Sequence, residues 1–406
     1  MPNTSNHPGD ISQQLRTQAL PTPGPLQDTV PDRFSADPAH GPRILFFSGG
    51  TALRALSRCL IQYTHNSVHL VTPFDSGGSS ASLRQAFAMP APGDLRNRLM
   101  ALAEGGQEII ELFATRLPKG ADGRGLDAEL AELAAGTHHL TARVPEPLGG
   151  VVRHYLSVFL ERMPRGFDLS GASVGNLLLT AAYLEADRSF APAVLSFSHL
   201  AGVRGTVLPT VEDDLHLAAD LADGSTVIGQ HLLTGKVTAP PKSPIRTLRL
   251  VRDLAGSPPP PCAIGNTVTR LISSAQLIVF PMGSFFTSVL ANLLPEGVGR
   301  AVAANPCPKV FVPNLGYDPE CLGHDTTSQA ALLQSALRTD LPPDSKARVL
   351  DFVLADLKKG AYPGGLDVQR ISALNLAHVD ARLVTPGSTP LLDSQRLAAA
   401  LFALLP

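Results

Sequence analysis

Apolar residues fall into two patterns along this chain, short unbroken runs and stripes spaced three or four positions apart. Ile44-Leu-Phe-Phe47 is an unbroken run of the kind that forms a central parallel strand buried on both faces. Leu53, Leu56, Leu60 and Tyr63 then recur at helical spacing, with Cys59 on the inner side, and Val68–Val71 is a second buried run. Together they predict a strand–helix–strand unit. Leu95, Leu99 and Leu102 predict a further helix that Asp94 can cap. Residues 104–170 read as a helical insertion, broken at 118–125 and 144–150, and a strongly apolar helix over Leu177–Leu184 follows it.

Over residues 205–233 the reading turns to β. Thr206–Val211, Leu215–Leu217 and Thr226–Ile228 predict strands, and Asp223-Gly224 predicts a hairpin turn. After Pro258–Pro261, Ala275–Phe280 is another buried strand, running into a helix that carries Val289, Leu290, Leu293 and Leu294. Strands are expected at Lys309–Val312, Leu350–Leu354 and Ala381–Val384, and a closing helix over 393–405. Strands alternating with helices predict an α/β fold with a mainly parallel sheet, as a single domain over 42–406. Residues 1–41, with Pro-Thr-Pro-Gly-Pro and no amphipathic period, predict a disordered or loosely docked tail.

Composition narrows the function. The 406 residues are 44% hydrophobic and 17% charged, with a net charge of −2, which argues against a dedicated nucleic-acid binder. There is no Trp and little Tyr to stack on bases. Cys59, Cys262, Cys307 and Cys321 form no CxxC motif, and no stretch has the pattern of a signal peptide or the length of a membrane span. These features predict reduced thiols in a cytoplasmic protein with no membrane partner. His65 and His69 straddle a loop-to-strand transition, and His138-His139 has no obvious partner, so neither pair predicts zinc.

The candidate chemistry lies where strands run into helices. Ser48-Gly-Gly-Thr51, Asp75-Ser-Gly-Gly-Ser-Ser80 and Pro281-Met-Gly-Ser-Phe-Phe-Thr-Ser288 are turns whose backbone amides can cradle phosphate oxygens. Their candidate residues are Gly49, Gly50, Thr51, Gly77, Gly78, Ser79, Ser80, Gly283, Ser284, Thr287 and Ser288. Neither G-x-G-x-x-G nor a Walker A loop is present. Asp75 can hold a divalent cation, Arg84 and Arg96 can neutralise phosphate, and Asp94 is equally a helix cap or a ligand. Asn97 belongs to the same run, and Asn176 and Asn314 can orient a bound group. Parallel strands bind ligands at their C-terminal ends, so the three turns are expected to face one cleft.

From about Pro42 onward the chain resembles the 2-phospho-L-lactate transferase (CofD-like) superfamily, which includes the YvcK-type gluconeogenesis factors. The resemblance rests on Gly49-Gly-Thr51, Asp75-x-Gly-Gly-Ser-Ser80 with Leu83-Arg84, Pro92-Gly-Asp-Leu-Arg-Asn97, and Gly175-Asn-Leu177. It continues through Val207-Leu-Pro209, Gly283-Ser284, Thr287-Ser288 and Asn314-Leu315. It implies a Rossmann-like, three-layer fold. Its transferase branch implies an Mg²⁺-dependent transfer of a 2-phospholactyl group from a guanosine diphosphate conjugate to a deazaflavin hydroxyl, with Asp75 and Asp94 as catalytic acids and Asp75 on the metal. Its YvcK-like branch implies a non-catalytic regulator that binds UDP-sugars and signals to a protein partner. Either way the implied ligand is a guanine or uracil nucleotide linked to a small molecule, and a homodimer is a common arrangement. The chain departs from the family where Asp-Asp becomes Asp75-Ser76, where Gly-Gly-Gly-Thr-Gly becomes Ser48-Gly-Gly-Thr-Ala52, and where a Tyr becomes Phe286. Pro281-Met282 stands in place of Gly-Pro.

Overall fold

A computed structural model describes residues 26–120, 123–235 and 238–406. Of the segment expected to be a tail, residues 1–25 lie outside the described ones. Residues 26–41 carry α1 (Asp32–Ala36) and pack through Val30 and Phe34, whose ring meets Phe402 edge-on at 4.8 Å.

The chain then builds β1 (Ile44–Ser48), α2 (Arg54–Leu60), β2 (Val68–Val71), α3 (Gly78–Phe87) and α4 (Gly93–Leu102). Four helices follow, α5 (Gln107–Ala114), α6 (Gly123–Ala135), α7 (His139–Ala142) and α8 (Leu148–Arg162), and they pack on α9 (Val174–Glu185) and α10 (Phe190–Leu200) in one apolar cluster. Next come β3 (Thr206–Pro209), β4 (His216–Leu221), β5 (Thr226–Ile228), α11 (Gln230–Leu233), β6 (Ile245–Val251), α12 (Asn266–Ser273) and β7 (Leu277–Phe280). The chain closes with α13 (Val298–Ala304), β8 (Lys309–Phe311), α14 (Thr326–Arg338), β9 (Phe352–Ala355), α15 (Val368–Ala373), β10 (Ala377–Asp380) and α16 (Ser394–Ala403).

Seven strands form one parallel sheet in the order β10-β9-β8-β7-β1-β2-β3. Side chains alternate across it, as strand geometry requires. Ile44, Phe46, Leu277 and Val279 pack with α2 and α16, whereas Leu45, Phe47, Ile278 and Phe280 pack with α12, α13 and α14. Strand order reverses at β1, which pairs with β2 on one side and β7 on the other. That reversal is where an open parallel sheet leaves a crevice at its carboxyl edge.

The expected α/β fold is present, with differences in its parts. The β region is a three-stranded antiparallel sheet, β5-β4-β6, whose third strand the sequence pattern did not single out. Its hairpin turns at Gly224, where φ is +88°. The run beginning at Thr206 is not part of it. It forms β3, the parallel edge strand, where Pro209 costs no inner ladder bond. The apolar run Ala381–Val384 is not a strand, because the Leu383 and Val384 amides donate to the Asp356 carboxylate at 3.0 Å instead of to a neighbouring strand. The last strand is β10, four residues earlier. The segment after β7 forms a π-helical turn (Phe285–Val289) and a 3₁₀ turn (Leu290–Leu293), respectively looser and tighter than the expected α-helix.

His69, on β2, is fully buried, stacks on Phe46 at 5.0 Å and meets Ser67 Oγ at 3.1 Å. Burial, reinforced by the Arg98 charge, holds its pKa well below the ordinary value, so it is neutral in the folded protein. Unfolding frees it to bind a proton near its ordinary pKa of about 6.5. Stability from this residue is therefore complete above about pH 6.5 and lost as pH falls below it, with a limiting slope of about 1.4 kcal/mol per pH unit. Urea denaturation at pH 7, 6 and 5 should show this loss, and His69→Gln should flatten the slope by up to one proton.

Candidate functional site

The turns after β1, β2 and β7 meet at the carboxyl edge of the sheet around a cleft of about 320 Å³, at the small end of the range for small-molecule sites. Their closeness depends on missing side chains. A Cβ at Gly49 would lie 2.4 Å from Ser288 Oγ, and one at Gly50 would lie 2.4 Å from Asp94 Oδ1. The first turn thus touches both the third turn and the start of α4.

Each turn is held by a side chain bonded to its backbone. Arg98, wholly buried on α4, donates from Nη2 to the Gly49 carbonyl at 2.7 Å and from Nη1 to Ser57 Oγ at 2.7 Å. Burial pushes its pKa down to about 10, with Asp94 opposing the shift, so it stays charged at neutral pH. Asn292, also wholly buried, donates to the Ser48 carbonyl at 3.1 Å and the Ser288 carbonyl at 2.7 Å, and accepts from the Thr210 hydroxyl. In the second turn Gly77 N–H donates to Asp75 Oδ1 at 3.1 Å, and Gly78 takes a φ of +49° that favours glycine. In the third, Asn314 clamps one residue: its Oδ1 accepts from Gly283 N–H at 2.9 Å and its Nδ2 donates to the Gly283 carbonyl at 2.5 Å.

Most of the predicted site residues line this cleft: Gly49, Gly50, Thr51, Asp75, Gly77, Gly78, Ser79, Ser80, Asp94, Arg96, Asn97, Asn176, Gly283, Ser284 and Ser288. Three do not, and for different reasons. Arg84 turns away as a buried brace, bonding Asp214 Oδ1 at 2.7 and 2.9 Å, the Leu215 carbonyl at 2.6 Å and the Phe74 and Asp75 carbonyls at 3.3 Å. It fastens the Asp75 turn to the small sheet rather than neutralising a ligand. Thr287 is wholly buried, with its amide and hydroxyl on the Glu320 carboxylate at 2.8 and 2.6 Å. Asn314 acts through Gly283, outside the cleft lining.

The lining also includes Arg116, Gln230, His231 and Thr234, which the sequence pattern did not reveal. Arg116 follows α5, bridges Ser173 by its backbone, and donates from Nη1 to the Gly171 carbonyl at 3.1 Å. Arg96 is buried and bonds Ser173 Oγ and, at 2.6 Å, Asn97 Oδ1. Burial and the Arg116 charge lower its pKa to about 10, against the opposing pull of Asp94 and Asp75. Two guanidinium groups near each other in one cleft suit an anionic ligand.

A hard cation also fits the residues present. Among the described residues no cluster of three His, Cys, Asp or Glu could hold a metal alone. Mg²⁺, however, needs only one or two carboxylates when substrate phosphates and water complete its shell. Asp75 and Asp94 both line the cleft, and Asn176 Oδ1 is a buried oxygen with no hydrogen-bond partner. These groups gather around Gly93, where a Cβ would lie 3.1 Å from Asp75 Oδ2 and 3.9 Å from Asn176 Nδ2.

Comparison with known proteins agrees with the fold. The model of the family described as 2-phospho-L-lactate transferase CofD matches residues 44–384. A putative gluconeogenesis factor of Nostoc is 28% identical over 402 residues, covering 97% of this chain and 74% of that protein. The gluconeogenesis factor of Bacillus subtilis is 27% identical over 377 residues, covering 90% of this chain and 98% of that protein. A crystal structure of a UPF0052 family member from Bacillus halodurans superposes with a TM-score of 0.67 at 23% identity, covering 89% of this chain and 99% of that one.

Replacing Arg98 leaves the Gly49 carbonyl without its buried donor, and such a group costs about 1–3 kcal/mol. Arg98→Met should therefore lower stability by about 2 kcal/mol in urea denaturation, which a wild-type midpoint would contradict.

Proposed function

The chain belongs to the 2-phospho-L-lactate transferase CofD family, and we propose that its cleft binds a nucleoside-diphosphate conjugate with Mg²⁺ and transfers the phospho-acyl group to an acceptor hydroxyl. The observation that carries this reading is the gathering of Asp75, Asp94 and the orphaned Asn176 Oδ1 beside Arg96 and Arg116, at the meeting point of three glycine turns. Carboxylates for a cation, guanidiniums for phosphate and the backbone amides of glycine turns are the components that a diphosphate requires.

In this reading the amides of Gly49, Gly50 and Gly78 line the phosphate path, the Gly77 and Gly283 amides being held by Asp75 and Asn314, and Arg96 and Arg116 balance its charge. Asp75, Asp94 and Asn176 would hold Mg²⁺, which would supply charge stabilisation on the phosphate oxygens when bound. The acceptor hydroxyl oxygen attacks the phosphorus of the phospho-acyl group and forms a new P–O bond. The bond from that phosphorus to the bridging oxygen breaks, the nucleoside monophosphate leaves with that oxygen, and the hydroxyl proton passes to solvent or to a carboxylate of the cleft. Arg96, whose charged form Asp75 and Asp94 favour, and Arg116 fix the phosphates before reaction. The cytoplasm is the compartment that fits four free cysteines with burial-raised thiol pKa values. No helix among the described residues is long and apolar enough to cross a membrane.

A second reading, a regulator that binds a nucleotide-sugar without turning it over, is favoured by one observation: the similar proteins above are named gluconeogenesis factors. Calorimetry separates the two. GDP, GMP, UDP and UDP-N-acetylglucosamine would be titrated with Mg²⁺ or with EDTA into the wild type and Asp75→Asn. The transferase reading expects guanosine diphosphate binding at least tenfold tighter with Mg²⁺, and no Mg²⁺ effect in Asp75→Asn. Tight UDP-sugar binding indifferent to both would establish the regulator instead.

A further inference from the structure

The small antiparallel sheet sends one side chain to the cleft whose role the three turns leave unassigned. His231 lies on α11, directly after β5, and lines the cleft with its neighbours Gln230 and Thr234. Its ring is fixed on one edge only. Nδ1 lies 2.8 Å from Ser76 Oγ, and the same oxygen accepts from the His231 backbone N–H at 3.3 Å. Among the described residues no protein group hydrogen-bonds Nε2. The approach is built into the backbone, since Gly229 takes a φ of +108° and a Cβ there would lie 3.0 Å from Cε1 of the ring. On the other side, a Cβ on Gly77 would lie 3.5 Å from His231 Cβ and 3.5 Å from Asp75 Oδ1, so the imidazole stands beside the second glycine turn.

Ser76 Oγ occupies the Nδ1 edge of the ring, and where its hydroxyl hydrogen is directed at Nδ1 the ring carries its own hydrogen on Nε2. Nε2 is then a donor with no protein acceptor. A donor held in place at the wall of a phosphate-binding cleft, with its second edge already satisfied, suits an anionic oxygen rather than a cation.

We propose that His231 is a binding residue of this cleft, donating from Nε2–H to a phosphoryl oxygen of the nucleoside-diphosphate conjugate seated against the Gly77-Gly78 turn, with Ser76 as its positioning residue. The inference rests on the proposed function above and adds to it the residue by which the small sheet takes part in ligand binding.

Substitutions that keep one edge of the ring or the other test it. The Gln amide nitrogen reaches about as far as Nε2, whereas the Asn amide nitrogen reaches only as far as Nδ1. UDP-N-acetylglucosamine and GDP-mannose, each with Mg²⁺, would be titrated calorimetrically into the wild type, His231→Ala, His231→Asn and His231→Gln, with thermal midpoints confirming that each variant is folded. Binding through Nε2 to a charged oxygen predicts affinity about tenfold or more weaker in His231→Ala and His231→Asn, with His231→Gln within about threefold of wild type. If His231→Asn binds like wild type, or if all three variants do, His231 only anchors Ser76 and the inference falls while the proposed function stands. If neither conjugate binds the wild type, the proposed function falls and takes the inference with it.

Discussion

Where β1 stops, its last carbonyls pass out of the ladder and into a protein interior that offers them no strand. Arg98 and Asn292 supply the missing donors, one from beneath and one from the side. A buried guanidinium is costly to desolvate, yet here it has defined acceptors, and the Asp94 charge lies near enough to support it. With its carbonyls turned down onto these donors, the glycine turn has its amides available to the cleft. The other two turns are fixed differently, by side chains that engage the amides themselves: Asp75 takes the Gly77 N–H, and Asn314 takes both the N–H and the carbonyl of Gly283. A preorganised anion cradle needs such fixing, because amides that must reorient on binding lose much of their electrostatic value.

The strands and turns that make this edge were legible in the sequence because burial on both faces writes itself as unbroken apolar runs, and close approach writes itself as glycine. What stayed hidden depends on distant partners. Arg84 follows a glycine-rich turn as a phosphate ligand would, but its carboxylate partner Asp214 is 130 positions away, and no local pattern announces it. Arg116 and His231 come from a helical segment and a small sheet whose apolar periodicity reports only their own packing. Ala381–Val384 has the composition of a buried strand, and only the position of Asp356 shows why it is none. The π turn at Phe285–Val289 likewise has its first amides satisfied by Asp318 and Glu320, more than thirty positions away.

The cleft thus has a floor of strand ends and walls drawn from elsewhere. The floor supplies amides and carboxylates, whereas the walls supply Arg116 from beyond α5 and the polar face of α11. Changes in the walls can alter the lining of the cleft without disturbing the strand ends that form its floor, which is how one fold can carry different functions.

The clamp between Asn314 and Gly283 also has a consequence in time. The first glycine turn leaves the ribosome early, but its three-sided setting needs Ser288 against Gly49 and Asn314 on Gly283. A nascent chain that has not yet delivered residue 314 can possess the early strands and still lack a finished ligand cradle. The edge is therefore complete only in chains whose synthesis has passed that point, so the early strands can form well before their own turn reaches its final setting.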